Sequence, residues 1–120
     1  MLSVYLAAAL VAQAPDFAKE TLPGRAPATH INGKPSADLL EEVKKVWPTV
    51  VFEKDGKKVE YVVKLETDDG TVEMEFFPDK APIHARSFIA LAKAGYFNGV
   101  KFHRVIPEFV IQGGCSIGNG

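Results

Sequence analysis

The chain has 120 residues, of which 47% are hydrophobic and 24% charged, with a formal net charge of −1. That composition belongs to one ordinary globular domain or less and excludes a disordered chain. The near-neutral charge argues against nucleic acid as a general partner. His30, His84, His103 and the single Cys115 lack the paired spacings of a metal site, and one cysteine cannot close a disulfide within the chain. Neither a metal nor another cofactor is expected.

The amino terminus, MLSVYLAAALVAQAPDF, holds about a dozen mostly apolar residues followed by the small-x-small triplet Ala12-Gln13-Ala14. The run is too short to span a bilayer and has the length of a signal-peptide core, so residues 1–14 are expected to be a signal. An extracytoplasmic location, periplasmic or secreted, follows from that reading; without the signal the location is cytoplasmic. No Lys or Arg precedes the run and Pro15 follows it, which leaves a buried amino-terminal helix as the alternative.

Residues 15–35 contain four prolines and two glycines with little periodicity, the composition of a linker. The stretch SADLLEEVKKVWP then places Leu39, Leu40, Val43, Val46 and Trp47 at helical spacing on one face. Ser36 is expected to cap this helix and Pro48 to stop it, with Asp38 near its start and Lys44 and Lys45 near its end. Such a helix either lays its apolar stripe on its own domain or binds a partner. From Thr49 the hydrophobic period becomes two. A hairpin is expected around Asp55-Gly56, within a leading segment that ends at residue 58. A second strand pair follows, with Tyr61, Val63 and Leu65 on one side and Val72, Met74 and Phe76 on the other, turned at Asp68-Asp69-Gly70. DKAPIHARSFIALAKAG returns to helical period, with a stripe of Ala81, Ala85, Phe88, Leu91 and Ala92, Pro82 in the first turn and Gly95 just past the end. His84 reads as a helix-surface residue. Strands are expected over Val100–Ile106 and Phe109–Gln112.

The last of these segments, YFNGVKFHRVIPEFVIQGG, is the most specific part of the sequence. Period-two alternation puts Arg104 on a strand face with Phe102 and Ile106, and Val110 with Gln112 on the next strand. An arginine, a carboxamide and apolar side chains would then share one patch. The ordered pattern, together with the preceding FPDKAPIHARSFIALAKAG, resembles the amino-terminal half of a cyclophilin-type peptidyl-prolyl cis-trans isomerase, over roughly residues 59–120. Residues 1–58 lie outside the resemblance.

The resemblance implies a mainly β fold with helices, a cyclophilin-like antiparallel β-barrel. The chain is expected to carry about its first half, four strands and one helix, behind an amino-terminal extension with one helix. As an incomplete barrel it is expected to be weak or inactive alone. The resemblance further implies Arg104 as catalytic donor, Phe109 as the wall under the proline ring, Gln112 as holder of the peptide backbone and His103 as a supporting residue. Phe102 and Val110 would contact substrate. Val110 stands where the family commonly has methionine, and Glu108 where a small residue is frequent; Glu108 is close enough in sequence to pair with Arg104 or to face water. The expected partners are Pro-containing polypeptides, met by a monomer that assists folding and has no transmembrane span. A non-catalytic module binding Pro-containing segments is the alternative. The closing GGCSIGNG fits no phosphate-binding pattern, and Cys115 reads as a lone thiol.

Overall fold

The computed structural model describes residues 28–120. The expected signal at 1–14 and most of the linker lie outside these residues. The first helix, α1, is Ser36–Val46. Its N-cap is Pro35, which carries no capping side chain; the extended proline offers its carbonyl to the amides of Asp38 and Leu39 instead. Ser36, expected as the cap, is therefore the first helical residue. At Trp47 the helix tightens into a 3₁₀ turn, Trp47–Thr49, as short terminal turns often do.

Three two-stranded antiparallel sheets follow. β1 (Glu53–Lys54) and β2 (Lys57–Lys58) close on Asp55 and Gly56, both at positive φ, the backbone that a two-residue hairpin demands. β3 (Val62–Thr67) pairs with β4 (Gly70–Glu75), Val63 opposite Met74 and Leu65 opposite Val72. After the second helix, α2 (Pro82–Lys93), β5 (Phe102–Ile106) pairs with β6 (Val110–Gly113). No closed barrel forms among the described residues; the architecture there is mixed helix and strand with small sheets. Val62, Val72, Phe102, Val105 and Ile111 stay exposed on these hairpins.

The core lies between the two helices. Trp47, Val50, Ile89 and Ala90 are buried together, with Val43, Val46, Phe52, Tyr61 and Phe76 packed against them. The face of α2 turned to this core carries Ala85, Arg86, Ile89 and Ala90, whereas Ala81, expected in the stripe, is exposed. Phe88 belongs to a second face. It sits between Phe76 and Phe97, ring centroids 5.7 and 4.5 Å away. The helix thus packs on two sides. A single stripe drawn through Ala81, Ala85 and Phe88 mixes them.

Arg86 is the least expected member of the core, at 5% exposure. Its Nε and a terminal nitrogen donate to the Trp47 carbonyl at 3.1 and 2.8 Å, and its guanidinium lies 4.5 Å from the centre of the indole ring. Burial pushes the guanidinium below its ordinary pKa, yet an arginine remains protonated at any ordinary pH. The charge is compensated by a carbonyl and a π-face rather than by a carboxylate.

α2 ends in a glycine-terminated cap. Gly95, at φ +80°, donates to the Ala92 carbonyl and Tyr96 to that of Leu91, the paired bonds of a Schellman motif. Tyr96 then reaches on, its hydroxyl donating to the Gly114 carbonyl at 2.8 Å just beyond β6. Replacing Arg86 with Met should leave the Trp47 carbonyl buried without its charged donors. Hydrogen bonds to charged groups contribute about 1.5–3 kcal/mol, so a loss of about 2–3 kcal/mol is expected. Urea unfolding followed by Trp47 fluorescence measures it, and an unchanged midpoint would show that the clamp adds nothing.

Candidate functional site

β5 and β6 are joined by a tight turn over Ile106–Phe109. The Phe109 amide donates to the Ile106 carbonyl at 3.1 Å, and Glu108 sits at φ +59°. A proline in second place and a left-handed residue in third are the marks of a type II turn. From this turn the pairing runs Ile106 to Val110, Val105 to Ile111 and Arg104 to Gln112. It then slips: Phe102 pairs with Gly113, which leaves His103 as an extra residue in a bulge.

The turn and pairing place the expected residues as follows. Arg104 and Gln112 are exposed cross-strand neighbours, and the arginine donates to Gln112 Oε1 at 3.3 Å. The same guanidinium lies 5.6 Å from the centre of the Phe109 ring, which is 72% exposed. Val110 is half-buried on the strand that carries Gln112. A cation, an amide and an aromatic ring therefore share one open surface. Phe102 is exposed at the far end of the pair with its ring against Gly113, where an added Cβ would meet it at 3.1 Å. Because the bulge interrupts the alternation, Phe102 is not in simple phase with Arg104. His103 is half-buried, its Nδ1 enclosed without a hydrogen-bond partner, and its ring lies beside Gly120. It is set apart from the cluster of Arg104, Phe109 and Gln112. Glu108 makes no ion pair with Arg104; its side chain faces water.

What this arrangement can do follows from the donor inventory. A guanidinium presents five N–H donors in a rigid fork, and its contact with Gln112 uses one of them. The remaining donors have no partner among the described residues, and the Phe109 ring beside the guanidinium is largely uncovered. Such a surface suits a ring-bearing, weakly basic acceptor. It does not suit acid–base exchange, because the guanidinium holds its protons.

Three residues that support the site, Tyr96, Ile31 and His30, had no role assigned from the sequence. Tyr96 ties the end of α2 to the loop after β6; its signal is its place directly after a helix-ending glycine, at the head of the YFNGVKFHRVIPEFVIQGG pattern. The segment before α1 packs there too: the Ile31 amide donates to the Ser116 carbonyl at 2.7 Å, and the buried His30 ring meets Tyr96 edge-on at 4.9 Å.

Cys115 follows in the same loop, half-buried and free. The backbone amides of Ile117 first, and then Asn119, hold its thiol below the ordinary value of 9.0. A lowered value means thiolate is present at lower pH than in an unfolded chain. Alkylation by iodoacetamide at pH 7.5 should therefore run about twofold or more faster in the folded protein than in urea. The gap should close above pH about 10.5, where the thiol is ionised in both states. Equal rates at pH 7.5 would show that the loop does not act on the sulfur.

The sequence model of the family described as cyclophilin type peptidyl-prolyl cis-trans isomerase/CLD matches residues 62–120. A peptidyl-prolyl cis-trans isomerase of Synechococcus elongatus is 46% identical over 56 residues, 47% of this chain and 39% of that protein. Peptidyl-prolyl cis-trans isomerase ppi1 of Schizosaccharomyces pombe is 50% identical over 58 residues, 48% of this chain and 37% of that protein. A peptidyl-prolyl cis-trans isomerase of Helicobacter pylori strain J99 is 43% identical over 70 residues, 58% of this chain and 43% of that protein. The chain thus spans less than half the length of these curated relatives. No solved structure matches the chain.

Proposed function

Residues 62–120 belong to the cyclophilin-type family of peptidyl-prolyl cis-trans isomerases, and from that premise we propose that the β5–β6 pair is the catalytic surface of an enzyme rotating X-Pro bonds in polypeptides. The observation that carries the proposal is the meeting of Arg104, Gln112 and Phe109 on one exposed strand pair. Rotation about an X-Pro amide makes and breaks no σ-bond, but it gives up amide resonance against a barrier of about 18–20 kcal/mol. In the twisted state the lone pair localises on the prolyl nitrogen. A donor aimed at that nitrogen stabilises the twisted state more than either planar one, and this difference is what accelerates the reaction.

Arg104 supplies the donor. Phe109 gives the pyrrolidine ring an apolar face, and Val110 extends the slot with less reach than a methionine would have. Gln112 holds the guanidinium by its carbonyl and has its amide N–H groups left for a substrate carbonyl. His103 acts from outside this cluster, filling the bulge that sets the register. In this reading β3–β4 and β5–β6 are four strands of an antiparallel barrel, which gives the exposed Val72, Val105 and Ile111 an interior to occupy. The client is a flexible, Pro-containing polypeptide and the role is assistance in folding. The apolar run at 1–14, with its Ala12-Gln13-Ala14 triplet, supports work outside the cytoplasm; a mature protein from the native host that retains Met1 would refute that location.

In the full-length protein, Arg104→Ala should lower kcat/KM on a short X-Pro peptide by about 10²–10³, the usual cost of removing one donor to developing charge. The urea midpoint should hardly move, since the side chain is exposed. An unchanged rate refutes the assignment. Peptide binding by this chain and by a version extended past Gly120, with turnover by neither, favours a non-catalytic binding module instead; turnover by the extended version alone is the expected outcome.

A further inference from the structure

Among the described residues, positive φ is almost wholly the business of glycine. Gly33, Gly56, Gly70, Gly95, Gly99 and Gly114 adopt it, as do others near the chain end. The non-glycine exceptions are Asp55 and Glu108. Asp55 stands in a two-residue hairpin turn, where a short carboxylate side chain tolerates the left-handed region. Glu108 has no such excuse. Its longer side chain cannot bond its own backbone in the same way, and a glycine at φ +59° would be less strained.

The carboxylate so placed is exposed and makes no ion pair with the nearest cation on the hairpin, Arg104, whose partners are Gln112 and the Phe109 ring. The other ionisable groups of the strand pair are His103, half-buried in the bulge on β5, and Lys101, just before it. Glu108 is also the residue directly before Phe109. Adjacent α-carbons are about 3.8 Å apart, so the carboxylate and the ring over which a proline would sit project from neighbouring points of one exposed turn.

We infer that Glu108 is a specificity-determining residue: its unpaired carboxylate, held beside Phe109 by the left-handed turn, favours polypeptides that carry Lys or Arg next to the proline. The inference rests on the isomerase reading of the same strand pair. Arg104 works against it, since a cation at the site attracts acidic flanks. The test therefore compares substrates on proteins in which Arg104 is untouched.

Three Ala-Pro peptides serve as probes, flanked on both sides by Lys, by Glu or by Gln. Their kcat/KM and their dissociation constants are measured on the intact protein, on Glu108→Gln and on Glu108→Gly. Exposed charge pairs commonly shift such ratios by about threefold. The Lys-to-Glu preference should fall about threefold in Glu108→Gln and equally in Glu108→Gly, with the Gln-flanked peptide unaffected in the former. In about 0.5 M salt, which screens Arg104 equally in both proteins, the difference in preference between the parent and Glu108→Gln should disappear. Glu108→Gly should also unfold at higher temperature, which separates relief of the turn from loss of the charge. An unchanged preference in Glu108→Gln overturns the inference. Turnover of no peptide, by this chain or by a version extended past Gly120, refutes the isomerase reading, and the ratio of dissociation constants then decides the role of Glu108 by itself. Binding of no peptide overturns both.

Discussion

Arg104 reaches Gln112 because the two residues lie directly across a strand pair, and the chemistry proposed for this chain depends on that register. Two local irregularities set it. At one end, Pro107 and a left-handed Glu108 close the turn so that Ile106 faces Val110. At the other, the bulge at His103 absorbs a residue and lets Gly113 meet Phe102. A one-residue slip anywhere between would send the arginine to the opposite face from the carboxamide. The half-buried ring of His103 beside Gly120 and the close approach of Gly113 to Phe102 both resist such a slip. Added bulk at Gly113 would meet not only the Phe102 ring but also the Lys101 carbonyl, at 3.2 Å.

Behind the strand pair the structure is anchored by a second arginine used quite differently. Arg104 is exposed with donors to spare, whereas Arg86 is enclosed and spends its bonds on the carbonyl of Trp47. That carbonyl ends the helix that precedes the family segment, so residues 36–50 and α2 share one core. From α2 the connection runs through Gly95 and Tyr96 to Gly114, at the foot of β6. The helix capping, the tyrosine bridge and the strand end are thus one mechanical series. Residues outside the family match contribute to it, since Ile31 and His30 pack on the same loop and the same tyrosine.

Much of this was legible from periodicity. Helical spacing of Val43, Val46 and Trp47, and alternation through Val63, Leu65 and Met74, locate α1, β3 and β4 because each element has one apolar side. Gly95 and Asp55-Gly56 announce their turns by chemistry alone. Arg86 was not legible. A charged residue inside an apolar helix reads as solvent-facing, and its partner lies 39 residues away in the chain. The bulge at His103 was hidden for a different reason: FHRVI carries no glycine to mark a bulge, and the adjacent His and Arg do not say which residue goes unpaired. The cap of α1 shows a third kind of miss. Ser36 has the preferred chemistry, but Pro35 is already extended and takes the position first.

The strand pair also shows how one short hairpin can serve two masters. Arg104, Ile106, Val110 and Gln112 form cross-strand pairs in register on one face, while Val105 and Ile111 pair on the other. The second face is wholly aliphatic at this pair and exposed among the described residues. The first mixes a cation and an amide with two aliphatics. A cation and a carboxamide opposite each other suit a solvated strand face as well as a binding one; the largely uncovered Phe109 ring beside the guanidinium is what sets this pair apart. A purely polar binding edge, conversely, would not keep an aliphatic reverse face that water must cover. The alternation lets the pair solvate one face and pack the other. That division makes the arginine at 104 more informative than any single residue elsewhere on the chain.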